Sequence, residues 1–307
     1  MTEHRKGLLL TTLGVCLIIP DATFVRLIDA PSLTNALWRS GLLALSLTFF
    51  LVLKYRFRLF SVLKQLGRWG ATSSFFSGLG TILFVGAIDR TSVANVLLIL
   101  ALSPIWAAVL TRFVTGVPVK THTLVAVPFA FLGVSIALSG SIENLNNVGN
   151  LLALFCSFVL ASNLTLIRAN KRIDMVPAVA LGGVLGFVVL SLAGTSSKLL
   201  PGDLTPTLIL GVILLPSAMA LLTMGGRYLP SPETALLLLG ETALSPMLAA
   251  VIVNEPITLQ SLVGGSIVIL TLFLHAFIPL RTLQPLPFNK NLGTAQVSPI
   301  DLNDSDS

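Results

Sequence analysis

The chain alternates between long apolar stretches and short segments rich in Pro, Gly, Asn and charged residues. A helix of about 20 apolar residues spans the hydrocarbon core of a bilayer, because each residue adds about 1.5 Å. The pattern predicts an all-α polytopic membrane protein with ten transmembrane helices. We expect these helices at roughly 7–27, 32–53, 70–88, 91–113, 121–140, 147–168, 175–195, 205–225, 232–253 and 258–279.

The composition agrees with a membrane protein. Hydrophobic residues make up 54% of the chain, charged residues make up 10%, and the mean hydropathy is +0.92. Soluble domains carry about 25% charged residues. The net charge of +6 therefore indicates basic cytoplasmic loops rather than a nucleic-acid partner.

Lys and Arg also predict how the chain is oriented. If the N-terminus is cytoplasmic, fifteen of the 19 Lys and Arg residues fall on the cytoplasmic side, three fall outside, and Arg39 lies within the second span. We expect both termini in the cytoplasm and the chain in the inner membrane of a prokaryote. The first helix lacks a small-residue cleavage site and is expected to stay uncleaved.

Two nine-residue stretches of the chain are nearly identical. ALSPIWAAV at 101–109 matches ALSPMLAAV at 243–251 in seven of nine positions, and TFVR at 23–26 resembles TLIR at 165–168 at the same offset. Spans 1–5 thus resemble spans 6–10. Because five is odd, the second copy enters the membrane from the other side, which gives an inverted repeat. The predicted units are 1–144, 145–282 and a disordered cytoplasmic tail, 283–307.

An inverted repeat is typical of secondary transporters that work by alternating access, with the substrate held between the halves. We expect such a carrier, an exporter of a small metabolite or amino acid, with protons as the candidate coupling ion. The alternatives are a channel and an intramembrane enzyme acting on lipids. The three His residues are scattered at 4, 122 and 275, and no Walker sequence is present. We therefore expect no enzyme activity, no cofactor and no metal site.

Several segments resemble the EamA type of the drug/metabolite transporter superfamily. They are the stretch 237–270, its weaker counterpart at 95–136, Trp38-Arg39 in the second span, and Asn254-Glu255-Pro256 at the end of the ninth. The resemblance implies a ten-span transport fold and leaves the substrate open among amino acids, metabolites and drugs. The first repeat departs from the pattern, because 115–118 lacks the acidic residue that Glu255 supplies in the second.

The clearest candidate for a site residue is Glu241, near the middle of the ninth span. Ionisable residues inside a membrane usually face a bundle interior or a wet cavity. Ser245 is four residues further on, which predicts the same helix face, and Pro246 would free a carbonyl beside it. These groups suggest a substrate or proton site. The alternative is a neutral Glu241 that is hydrogen-bonded between helices.

Further candidates lie in other spans. Asp21 and Asn163 occupy matching positions of the two halves, which predicts that both face the centre. Arg39, with Trp38, could clamp a carboxylate or form a packing ion pair with Asp21 or Asp29. The remaining candidates for the cavity wall are Asn95 and Trp106.

The expected partners are a small-molecule substrate, the lipid bilayer and protons. The sequence leaves open whether the carrier forms a homodimer.

Overall fold

The computed structural model describes residues 3–88, 90, 93–116, 121–139, 148–252 and 259–277, and these residues are predominantly helical. The helices of the first half are α1 (Glu3–Ile18), α2 (Asp21–Arg26), α3 (Ser32–Tyr55), α4 (Leu59–Ile88), α5 (Val93–Leu100), α6 (Ser103–Thr115) and α7 (Thr121–Leu138). Those of the second half are α8 (Val148–Ala169), α9 (Val176–Leu192), α10 (Leu204–Leu208), α11 (Leu215–Gly226), α12 (Ser231–Ile252) and α13 (Leu259–Phe277).

Several helices are apolar enough to cross a membrane. Among the described residues, four helical stretches meet the length and hydropathy required: Glu3–Val25, Ser32–Ala87, Val148–Ala169 and Leu204–Gly226. Shorter apolar helices cover Ser103–Val114, Leu124–Gly133, Val176–Leu192 and Leu262–Thr271. Large apolar side chains also point outward; Phe113 and Leu192 are each 82% exposed. An apolar exterior of this kind suits lipid, so the chain is a polytopic membrane protein.

Two predicted spans are interrupted rather than continuous. The first is divided at Ile19-Pro20, between α1 and α2, because Pro20 has no N–H to continue the helix. The fourth is divided at Ala101-Leu102, just before Pro104. The related ALSP motif at 243–246 lies within the unbroken helix α12. The same motif therefore breaks one helix and not the other.

Two further helices depart from regular geometry. Gly67 adopts φ 50° and ψ −150° inside α4, which separates Leu59–Leu66 from the longer part that corresponds to the predicted third span. A π-helical turn over Ile209–Leu214 joins α10 to α11. Pro216 follows this turn and lacks the N–H that a regular helix would use there.

The helices of the first half pack mainly against those of the second. The most extensive contacts join α7 to α13, α4 to α8 and α9, α1 to α11, and α3 to α9. Glycine permits a close approach of α4 to α9: a Cβ added at Gly78 of α4 would lie 2.9 Å from the carbonyl oxygen of Gly182 in α9. Small residues at helix interfaces are typical of membrane proteins. The space between α2, α3, α4, α8 and α12 contains the cavity described next.

Candidate functional site

A central cavity of about 240 Å³ lies between helices of the two halves. It has more than ten times the room that a single water needs. Its walls are mostly apolar, with Phe76, Phe84 and Leu160 among them. The polar groups that project into it include four of the candidate site residues: Asp21, Arg39, Asn163 and Glu241. A mostly apolar cavity with a few convergent polar groups has the composition of a small-molecule site.

Asp21 and Arg39 form a bidentate ion pair on the cavity wall. Arg39 Nη1 and Nη2 donate to Asp21 Oδ1 and Oδ2 at 2.5 and 2.7 Å. The side chains are only 12% and 5% exposed. Asp21 is the first residue of α2, directly after the break at Pro20, and Arg39 is on α3. The ion pair expected from the sequence is therefore present, and it links the broken first span to the second.

The guanidinium of Arg39 also faces an aromatic ring. Its Cζ atom lies 5.8 Å from the ring centroid of Phe84 in α4. A guanidinium at this distance is attracted to the face of the ring. Arg39 therefore connects three helices at the cavity: α2 through Asp21, α3 on which it lies, and α4 through Phe84.

Glu241 enters the cavity from the midpoint of α12. It is the tenth residue after Ser231, or about 15 Å along the helix. In the part of the chain that the structure describes, its carboxylate has no hydrogen-bond or salt-bridge partner. It is close enough to the ion pair to be repelled by Asp21 and attracted by Arg39. Glu241 is thus an acidic group whose oxygens remain available to whatever occupies the cavity.

Asn163 of α8 faces the same cavity but is already held by two serines of α4. Its Oδ1 accepts from Ser73 Oγ at 2.7 Å, and its Nδ2 donates to Ser77 Oγ at 3.2 Å. Ser73 is fully buried, and Ser77 also lines the cavity. Asn163 therefore joins α8 to α4 at the wall of the site.

Ser245 is outside the described cavity wall that Glu241 lines. Its Oγ donates to the backbone carbonyl of Ile19 at 2.8 Å, and the residue is 2% exposed. Ile19 precedes Pro20 at the break in the first span. The hydroxyl thus satisfies a carbonyl at a helix break, which is a common need where a transmembrane helix is interrupted.

The two candidate tryptophans, Trp38 and Trp106, are also absent from the described cavity wall. Trp38 Nε1 donates to the Ser197 carbonyl at 3.0 Å, so the ring contacts the connection after α9. Trp106 packs edge to face on Phe158 at 5.7 Å between ring centroids.

The backbone of Asn95 is part of α5, but its side chain lies outside the described residues, as do Glu255 and Pro256.

Two aspartates that the sequence did not single out hold the two ends of α3: Asp203 at the start of α10, and Asp174 just before α9. Beyond the C-terminal end of α9, the buried Asp203 accepts from the backbone N–H groups of Asp29 and Ala30, each at 3.0 Å. Before its N-terminal end, Asp174 accepts from Tyr55 Oη at 2.5 Å and Lys54 Nζ at 3.3 Å. The two ties therefore act at opposite ends of α3.

Asp174 has a perturbed pKa. Burial alone would raise the pKa of its carboxyl. The hydrogen bonds from Tyr55 and the Val176 backbone N–H, with the charge of Lys54, outweigh burial and lower the pKa below its ordinary value of 3.8. Asp174 is therefore held as a carboxylate at neutral pH.

Among the described residues, no group of three or more His, Cys, Asp or Glu residues is placed to hold a metal ion. The two cysteines, Cys16 and Cys156, are both free.

Comparison with known proteins identifies the first half. Residues 7–139 match the model of the EamA-like transporter family. The structure is also similar to a crystal structure of a protein, with a TM-score of 0.77 and 16% sequence identity, covering 91% of this chain and 100% of that chain. At that identity the likeness concerns the fold. No curated protein matches the sequence.

The family match extends from α1 through α7, and the motif-rich stretch 237–270 lies outside it. This family consists of transporters, not enzymes. Residues 7–139 form a domain of the EamA-like transporter family, and the chain is a membrane transporter.

Proposed function

We propose that the chain is a secondary active transporter with ten membrane spans arranged as two inverted repeats, 1–144 and 145–282, followed by the tail 283–307. The observation that carries the proposal is the central cavity, which polar groups from both halves line. Asp21 from the first half and Asn163 from the second both face it. The packing of first-half helices against second-half helices supports a substrate site between the repeats.

The substrate is a small metabolite or amino acid. The cavity offers a carboxylate at Glu241, an ion pair at Asp21 and Arg39, and apolar walls. A substrate that carries an amino group would contact Glu241, and its apolar part would pack on Phe76 or Leu160. A carboxylate that faces a cavity can also take up and release a proton, so Glu241 is the group through which protons are coupled to transport.

Alternating access requires some helices to move and others to stay together. Extensive packing and the Asp174 tie hold α3 against α9, and Asp203 holds the start of α3 to the start of α10. The α3–α9 pair is therefore a rigid unit of the carrier. The interrupted helices at Ile19-Pro20 and Ala101-Leu102 have fewer backbone hydrogen bonds to break. These breaks are the hinges, and the conformational change moves α1, α2, α5 and α6 relative to the α3–α9 pair.

Orientation follows the distribution of Lys and Arg. Both termini are cytoplasmic, the membrane is the inner membrane of a prokaryote, and net transport is export. Large apolar side chains on the outer surface, such as Phe49 at 65% exposure, are compatible with lipid or with a second copy of the chain.

The experiment is transport into proteoliposomes. Purified chain is reconstituted, and uptake of a pooled set of labelled amino acids and small metabolites is followed with and without a pH gradient. Saturable uptake of at least one compound that increases with the gradient supports a proton-coupled carrier. Saturable uptake that is independent of the pH gradient would indicate a carrier that is not coupled to protons. A non-saturable flux would favour a channel.

A further inference from the structure

One segment between two membrane helices departs from the path of the helix that follows it. The segment 56–69, here called the basic segment, follows α3 and comprises the 3₁₀ turn Arg56–Arg58, the start of α4 and the turn at Gly67. Gly67, with φ 50°, separates this segment from the membrane-spanning part of α4. The segment therefore leaves the path of the transmembrane helix.

The inward side of the basic segment is anchored on the protein. Leu66 is 3% exposed and packs in a cluster with Ile167 of α8 and with Met175 and Ala178 around the start of α9. Leu63 packs against the same cluster. The segment is consequently fixed beside the ends of two membrane helices, at the level where the bilayer meets water.

The outward side carries aromatic rings without protein neighbours to cover them. Phe57 is fully exposed at 102%, Phe60 is 68% exposed and Trp69 is 42% exposed. Trp at this level is typical of the aromatic belt, and exposed Phe side chains are typical of segments that lie in the membrane interface with their apolar face in the lipid.

Basic residues lie between these rings. Arg56, Arg58, Lys64 and Arg68 are all exposed, and none of them forms an ion pair with another described residue. Lys64 Nζ lies 4.8 Å from the ring centroid of Phe60, and Arg68 Cζ lies 4.8 Å from that of Trp69. The sequence contains no Asp or Glu from residue 30 to residue 88. The surface is thus cationic without internal compensation.

The connection between α8 and α9, 170–175, lies beside the basic segment and shows that a connection on this side does not need such a surface. It has two basic residues, one Asp and no aromatic residue. Four cations interleaved with exposed rings are therefore a feature of the basic segment and not a requirement of the fold.

We propose that the basic segment is a binding surface for anionic phospholipid headgroups. The lipid phosphate contacts Arg58 and Lys64, and the rings of Phe57 and Phe60 insert beside the glycerol and the upper acyl chains. Clusters of Lys and Arg next to a transmembrane helix attract acidic lipids in this way. The inference depends on the membrane location of the chain and is independent of the transport mechanism.

The test is lipid retention by the full-length chain. Protein in a neutral detergent is mixed with equal amounts of dioleoylphosphatidylglycerol and dioleoylphosphatidylcholine, purified, and analysed for bound lipid by mass spectrometry. The proposal predicts a wild-type preference for phosphatidylglycerol that falls by about fivefold for each basic side chain removed in the variant R58Q/K64Q. The variant R112Q/K198Q removes two exposed charges elsewhere and is expected to retain the wild-type preference.

Three outcomes would overturn the proposal. The first is a wild-type protein that retains both lipids equally. The second is an equal loss of preference in R58Q/K64Q and R112Q/K198Q, which would indicate an effect of net charge. The third is displacement of the bound lipid by soluble glycerol phosphate at the same concentration, which would assign the site to a small anion. A titration of the wild-type protein with NaCl tests the proposal without any variant. The preference for phosphatidylglycerol over phosphatidylcholine must fall, because salt screens the charges.

Discussion

The guanidinium of Arg39 holds both carboxylate oxygens of Asp21, at 2.5 and 2.7 Å, on the wall of the central cavity. Asp21 begins the helix that follows the break at Pro20, and Arg39 is on α3. The pair therefore joins the proposed hinge to the proposed rigid unit.

Replacing only Asp21 or only Arg39, as in Asp21→Asn or Arg39→Met, is expected to destabilise the protein more than replacing both residues. Arg39→Met leaves a buried carboxylate without its partner, at a cost of about 3–5 kcal/mol in the free energy of unfolding. The double variant D21N/R39M removes both charges and should recover part of that loss. Thermal unfolding of the detergent-purified wild type, the two single variants and the double variant measures the coupling. Strictly additive effects would mean that the pair does not contribute to stability as described.

Ser245 is expected to act on the helix break and not on the substrate. Ser245→Ala removes the hydrogen bond to the Ile19 carbonyl, which should cost about 1 kcal/mol of stability. KM for the transported substrate should stay within a factor of about two of the wild-type value. Ser162→Ala is the matched control, because that hydroxyl donates to the Phe158 carbonyl of its own helix. A tenfold rise in KM for Ser245→Ala would place the hydroxyl in contact with the substrate.

The rigidity of the α3–α9 pair can be tested with a crosslink. A Cβ placed at Gly186 lies 3.4 Å from the Cβ of Ser40, near the short end of the range of about 3.5–4.5 Å found in disulfides. In a background in which Cys16 and Cys156 are replaced, the variant S40C/G186C should form the disulfide on oxidation. Because the two helices move together, the oxidised protein should transport as fast as the same protein after reduction. Transport that stops on oxidation and returns on reduction would show that α3 and α9 separate during the cycle.

The lowered pKa of Asp174 predicts that the stability of the fold depends on pH. Its pKa in the folded chain lies below its ordinary value of 3.8, so it stabilises the fold at neutral pH. That contribution is complete above the ordinary value and disappears as the pH falls through the lower pKa of the folded state. The difference in melting temperature between wild type and Asp174→Asn should therefore be constant from pH 7 to pH 5 and shrink below about pH 4.

Asp29→Asn controls for the removal of an exposed acidic charge near the other end of α3. A difference that widens on acidification would contradict the assignment of Asp174.

The apolar stretches predicted most helices because span length and hydropathy are dictated by the bilayer. They did not predict the interruptions at Pro20 and at Ala101-Leu102. The related ALSP motifs show why: the motif marks a break before α6 but lies within continuous helix in α12. Whether a proline breaks a transmembrane helix depends on the neighbours that satisfy the freed backbone groups, and these neighbours come from distant parts of the chain.

The pairing of Asp21 with Arg39 was among the interactions expected from the sequence, because intramembrane charges need partners and few were available. Ser245 lies on the same side of α12 as Glu241 but about 6 Å further along the helix axis. At that level its hydroxyl meets the Ile19 carbonyl at the break in the first span, and the sequence pattern does not show that partner.

Asp203 and Asp174 were missed because both lie in connections between helices. Asp203 bonds to backbone groups 173 and 174 residues away. Nothing in the local sequence identifies those partners.

The central claim is that Glu241 couples transport to protons from the middle of α12. The most direct test is gradient-driven accumulation of a transported substrate in proteoliposomes, comparing wild type with Glu241→Gln. Glu233→Gln makes the same chemical change on the same helix, at the buried contact with His4 and outside the described cavity wall. The account predicts that accumulation is lost in Glu241→Gln and kept in Glu233→Gln. Accumulation by Glu241→Gln at the wild-type level would contradict it.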